Sequence, residues 1–175
     1  MVSKNEEILG VWSELFVGQA LAVRAVESDL AGKAPLSISE YDVLLCVSRS
    51  HERAIRFSAL AEAAVYTKSG ITRVVKRLED EGLLMRRECP EDKRVTYAVL
   101  TEAGDRALRE TWRWYSQSVS EILSPCFTQQ EAQTLRELLG RIVHKLSRPE
   151  LIQIRTSRSG SATKLGNSRR KQAGS

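Results

Sequence analysis

Two consecutive stretches decide the fold: Thr67-Lys68-Ser69-Gly70-Ile71-Thr72-Arg73-Val74-Val75-Lys76-Arg77-Leu78-Glu79-Asp80-Glu81-Gly82, and then Leu83-Leu84-Met85-Arg86-Arg87-Glu88-Cys89-Pro90-Glu91-Asp92-Lys93-Arg94-Val95 and onward to Thr101. Ile71, Val74, Val75 and Leu78 recur at i, i+3, i+4 and i+7, the spacing of one buried helical face. Thr67 or Ser69 is expected to cap that helix, and Gly82 stands where a left-handed residue ends it. With the apolar face turned inward, Thr72, Arg73, Lys76 and Arg77 point outward, where long cations reach guanine edges and phosphates. Residues 83–87 and 95–100 favour strands, and Pro90 with Glu91-Asp92 supplies the turn between them. The spacing predicts a helix sized for a major groove beside a hairpin that holds Asp92-Lys93-Arg94 at its tip, a winged helix reading duplex DNA.

Working outward, residues 6–31 carry Ile8, Val11, Trp12, Leu15, Phe16, Val23 and Val26 at helical spacing, and Gly32 with Pro35 ends the pattern. Ser37-Ile38-Ser39-Glu40 is a capping box, in which the serine hydroxyl and the glutamate carboxylate satisfy free backbone amides. It opens a second helix with Tyr41, Leu44, Leu45 and Val47 on its apolar side. Ile55-Arg56-Phe57 predicts a short extended piece, Ser58 a cap, and Leu60, Ala61, Ala64 and Val65 the buried side of a small helix. Thr101 is expected to cap a helix running through Leu108, Trp112, Tyr115, Val119 and Ile122 to Pro125. Thr128-Gln129-Gln130-Glu131 is a second capping box, followed by Leu135, Leu138, Leu139, Ile142, Val143 and Leu146. The expected class is mainly α with a small β-hairpin wing (α+β). A winged helix-turn-helix lobe at about 37–101 is flanked by helices at about 5–31 and 102–147, all in one domain spanning 1–150. The outer helices hold more apolar surface than the small lobe can cover, which predicts pairing with a second copy.

The 175 residues are 42% hydrophobic, enough for one domain with its own core. The net charge of +5 is misleading. Residues 151–175 hold Arg155, Arg158, Lys164, Arg169, Arg170 and Lys171 and no acid; removing this +6 from +5 leaves −1 for the body. That basic segment, rich in Ser and Gly, is expected to be a disordered tail. The DNA reading therefore rests on the placement of charges rather than on their sum. Cys46, Cys89 and Cys126 are odd in number and include no C-x-x-C pair, which suggests neither a disulfide framework nor a zinc site. No signal-peptide core and no apolar run long enough to span a bilayer is read, so a cytoplasmic protein without a membrane partner is expected.

Phe57-Ser58-Ala59-Leu60-Ala61-Glu62, then Val74-Val75-Lys76-Arg77-Leu78-Glu79-Asp80-Glu81-Gly82-Leu83, then Asp92-Lys93-Arg94 with Leu100-Thr101-Glu102-Ala103-Gly104, resemble the MarR family of bacterial transcription regulators over about residues 5–148. The resemblance implies a homodimer that binds a pseudo-palindromic operator, usually as a repressor, and is often released by a small phenolic or lipophilic ligand or by oxidation. It places Arg94 as the wing arginine entering the minor groove, with Asp92 as the acid holding the wing. It also places Ser69, Thr72, Arg73 and Lys76 on the recognition helix; Arg77 and Lys93 complete the expected DNA-binding set. The family's peroxide-sensing branch carries a reactive cysteine in the first helix, where this chain has Leu15, Phe16 and Val17.

Each sharp reading has a plainer rival. Arg73, Lys76 and Arg77 could form ordinary ion pairs with Glu79, Asp80 and Glu81. Trp12, Phe16, Tyr41 and Trp112 could line an effector pocket, although aromatics at helical spacing are more often core. Cys89 beside Arg86 and Arg87 could act as a redox switch, against an idle thiol. His51 and His144 are isolated, and no catalytic, metal or cofactor constellation is read, so no enzyme is expected. Two alternatives stay open: a dimeric module that binds a small molecule or protein and touches DNA only non-specifically, and a thiol-based sensor acting through Cys89.

Overall fold

The computed structural model of the chain describes residues 3–63 and 68–146. Helix α1 (Lys4–Leu30) starts earlier than the apolar pattern suggested, because Ser3 and Glu6 form a capping box. The Ser3 amide donates to Glu6 Oε2 at 2.6 Å, and the Glu6 amide donates to Ser3 Oγ. Gly32 then takes φ +74°, a left-handed conformation open to glycine at little cost, and turns the chain toward α2 (Ile38–Arg49). The Ser37 and Glu40 capping box opens α2 as expected. Residues 40–47 of this helix are all buried, making α2 the central rod of the lobe.

A tight turn, His51–Arg53, leads to strand β1 (Ala54–Arg56) and helix α3 (Phe57–Ala63). The helix begins one residue before Ser58, so Ser58 lies within the first turn instead of capping it. Helix α4 is described over Lys68–Asp80, with Ser69 inside it. Thr67, Ala64 and Val65, and the basic segment 151–175, lie outside the described residues. Gly82 ends α4 at φ +69°, as the sequence demanded. Strands β2 (Leu84–Glu88) and β3 (Thr96–Leu100) make the hairpin, and β1 joins it on the far side to give an antiparallel order β1-β3-β2. The expected two-stranded wing is therefore rooted in a three-stranded sheet, with Ile55 opposite Ala98 and Ala98 opposite Arg86.

Helix α5 (Glu102–Leu123) is capped by Thr101, a 3-10 turn Ser124–Cys126 follows at Pro125, and α6 (Gln129–Leu146) closes the described chain behind the Thr128 and Glu131 capping box. One core joins Leu36, Val43, Leu44 and Val47 to Leu60, Ile71, Val75, Leu78, Leu84, Ala98, Leu100 and Leu108. The root of the hairpin is welded to α5. The Thr101 hydroxyl donates to the Gly82 carbonyl at 2.8 Å, and a Cβ on Gly104 would collide with the Leu83 carbonyl oxygen.

The outer helices differ from this lobe. On α1 only Val26 and Leu30 are buried, while Ile8, Leu9, Trp12 and Phe16 stand exposed. Helix α6 buries no residue and leaves Leu135, Leu138, Ile142 and Leu146 uncovered. Helix α1 is long and apolar enough to cross a membrane by length and composition alone, although Glu14 and Arg24 interrupt its apolar run.

Candidate nucleic-acid interface

Helix α4 is amphipathic in the way its sequence requires: Ile71, Val75 and Leu78 are buried in the core, and Thr72, Arg73, Lys76 and Arg77 form the opposite, exposed face. The four outward residues are not equivalent. Arg73 has no acidic partner among the described residues. Lys76 reaches Asp80 one turn along at 3.2 Å, an exposed pair that solvent and salt weaken to a fraction of a kcal/mol, about 0.3–0.5. Arg77 is held from two sides, its Nε lying 3.1 Å from Glu40 and 3.0 Å from Glu81. The Glu40 side chain is buried, and its other oxygen accepts from the Ser37 amide, so this carboxylate links the start of α2 to the C-terminal half of α4. The Glu81 bond, followed by the charges of Glu40 and Glu81, raises the pKa of Arg77 further above its ordinary value. Sequence reasoning anticipated the Glu81 pair but missed Glu40, which is 37 positions away in the chain.

The wing tip is shaped by Asp92. Its carboxylate accepts from the Arg94 amide at 2.9 Å, its carbonyl accepts from the Val95 amide at 2.9 Å, and the Val95 carbonyl accepts from the Cys89 amide. Asp92 Oδ1 and the Asp92 carbonyl thus close the turn. The side chains of Lys93 and Arg94 project beyond it, exposed and without an acidic partner among the described residues. The Arg86 guanidinium pairs with Glu79 and lies 4.6 Å from the centre of the Phe57 ring, pinning the wing to α4 and α3.

The four aromatic residues expected around an effector separate into two pairs. Tyr41 stacks on Trp112 at 6.4 Å and on Tyr115 at 5.0 Å where α2 meets α5. Trp12 and Phe16 stack on each other along the exposed side of α1. Among the described residues no ring contact joins the pairs. Cys46 is buried, Cys89 half-buried and Cys126 exposed; Arg86, expected beside Cys89, is turned away to Glu79.

Comparisons with known proteins agree with this geometry. The MarR family model matches residues 36–96, the segment from the start of α2 to the wing. The chain is 32% identical over 113 residues to an HTH-type transcriptional regulator of Bacillus anthracis, covering 64% of this chain and 72% of that protein. It is 26% identical over 132 residues to the HTH-type transcriptional regulator MhqR of Bacillus subtilis, covering 74% of this chain and 89% of that one. Among solved structures, a MarR family transcriptional regulator from Streptomyces coelicolor in complex with DNA superposes with TM-score 0.70 at 27% identity, covering 86% of this chain and 96% of its own. With the winged helix-turn-helix lobe, its Asp92-shaped wing and these relatives together, the chain belongs to the MarR family of HTH-type transcriptional regulators.

Proposed function

We propose that the protein is a sequence-specific, double-stranded DNA-binding transcription regulator that works in the cytoplasm as a homodimer, as a repressor of a pseudo-palindromic operator. The observation that carries this is the placement of Arg73, Lys93 and Arg94, three exposed cations without acidic partners among the described residues, on one helix and the adjoining wing tip. Each protomer lays α4 in a major groove through Ser69, Thr72, Arg73 and Lys76, and Arg94 enters the flanking minor groove. Arg77 acts through Glu40, fixing the angle at which α4 leaves the lobe. Two copies present their α4 helices about one turn of DNA (~34 Å) apart. The uncovered apolar faces of α1 and α6 support this pairing, since a second copy is the simplest cover for both.

A small phenolic or lipophilic effector acts where Tyr41 and Trp112 stack between α2 and α5, apart from the Trp12 and Phe16 pair on the exposed side of α1. It alters the separation of the two α4 helices, and DNA tolerates only a narrow range of spacings. The DNA reading is tested by titrating the full chain onto its own gene's upstream duplex and onto an unrelated duplex. Tight binding to the first, with Arg94→Ala weakening it about tenfold without lowering the melting temperature, is the expected outcome. Equal affinity for the two duplexes would favour the non-specific module instead.

A further inference from the structure

Strand β3 sits between β1 and β2, and its residue Tyr97 is the direct partner of Arg56 on one side and of Arg87 on the other. Directly paired residues in an antiparallel sheet stand on the same face, so Arg56, Tyr97 and Arg87 form one cross-strand row. The neighbouring positions Ile55 and Ala98 are buried in the core, which sets the row on the outward face of the sheet. Both guanidinium carbons lie 5.9 Å from the centre of the Tyr97 ring, and Arg56 Nε donates to the Tyr97 hydroxyl oxygen at 3.3 Å. The ring is a shelf that holds two planar cations in place and reduces the entropy they would lose on meeting an anion.

Four of the other described arginines are engaged by carboxylates. Arg53 and Arg109 pair with Asp105, Arg77 with Glu40 and Glu81, and Arg86 with Glu79. Arg56 and Arg87 pair with no carboxylate among the described residues. The next row on the same face, Ala54, Val99 and Met85, adds no charge. The row also lies close to the wing. The pKa of Arg56 is raised above its ordinary value first by the Tyr97 hydrogen bond and charge, then by the charges of Cys89 and Asp92. The two arginines therefore continue the cationic surface of Lys93 and Arg94 down the outer side of the hairpin. An open, flat, doubly cationic shelf suits a phosphodiester running across it better than an enclosed small molecule.

We propose that Arg56 and Arg87, spread on either side of Tyr97, grip a backbone phosphate of the bound duplex outside the segment read by α4 and the wing tip. This rests on the regulator reading above and extends its footprint. A phosphate contact fixes position without reading sequence, so its loss weakens every duplex alike. The test is fluorescence anisotropy of the full chain with the upstream duplex and with an unrelated duplex over a range of salt concentrations. The double variant Arg56→Gln, Arg87→Gln is expected to lose several-fold affinity for both duplexes by the same factor. The slope of log affinity against log salt should fall by about 1. The Arg56→Lys, Arg87→Lys variant keeps the charges but not the planar fork of donors; it should keep the slope while losing part of the affinity, and it guards against a folding defect in the first. Wild-type affinity and slope in the glutamine variant, or a loss confined to the upstream duplex, overturns the phosphate site while leaving the regulator reading standing. A wild-type chain that binds neither duplex overturns both; one that binds the two equally overturns the regulator reading, and the glutamine variant then decides the phosphate contact alone.

Discussion

The lobe from α2 to β3 and the two outer helices draw on the same apolar residue types and end in opposite states. In the lobe Val43, Leu44 and Leu78 are 0% exposed, and the polar groups around them close on one another through Ser37, Glu40, Arg77 and Thr101. On the outer helices Trp12 is 63% exposed, Phe16 66% and Leu146 78%. The lobe closes its own core, whereas α1 and α6 carry an apolar face that the described residues leave uncovered. The difference teaches that the proposed tasks of reading and pairing fall on physically separate parts, joined through α5, which packs on both α1 and α2.

The strongest way to break the contrast is to charge the outer helices. Trp12→Glu with Leu138→Glu should convert the proposed homodimer to monomer in sedimentation, with the lobe still folded. Operator affinity should fall on the order of 10²–10⁴-fold as the two reading units lose their link. A smaller but more local effect is expected inside the lobe, where Leu78→Ala should cost about 2–5 kcal/mol of stability in denaturant unfolding. Leu138→Ala, measured where the chain is monomeric, should cost little, because that side chain is already half in water. Gly104→Ala sharpens the comparison at the joint. Its new methyl group must push the Leu83 carbonyl away from α5, costing about 1–3 kcal/mol and loosening the wing in hydrogen exchange.

Much of the lobe was legible in the sequence because its signals are local. The Ser37 and Glu40 box, Gly82 after the α4 stripe and the Thr101 cap each lie within a few residues of the bonds they make, and each appears where it was expected. Ser3 and Glu6 carry the same signature and simply went unread beside the stronger apolar pattern. What sequence could not reveal is set by tertiary pairing. Arg77 meets Glu40 only because α2 and α4 cross, and Arg56 meets Tyr97 only because β1 adds to the hairpin. The position of Ser58 inside α3 has a similar origin, since β1 runs directly into the helix at Phe57 and leaves no separate cap. The candidate DNA-contacting residues Arg73, Lys93 and Arg94 were legible as positions; that none of them meets an acid among the described residues was not.

The smallest expected effect lies at the start of α6. The Glu131 carboxyl is held below its ordinary value of 4.5, chiefly by the backbone amide of Thr128 and then by the Thr128 hydroxyl. A folded value below the unfolded one means that this cap contributes fully above about pH 4.5 and is lost as pH falls through the lowered value. Acid titration followed by far-ultraviolet circular dichroism should show a slight loss of helix in that window, absent in Glu131→Gln.

The most direct test is the stoichiometry of the complex between the full chain and its own upstream duplex, weighed in solution with unrelated DNA in excess. Two chains per duplex, assembling together and resisting the competitor, is the predicted result. One chain per duplex, or displacement by the competitor at equal concentration, would contradict paired reading of a specific site.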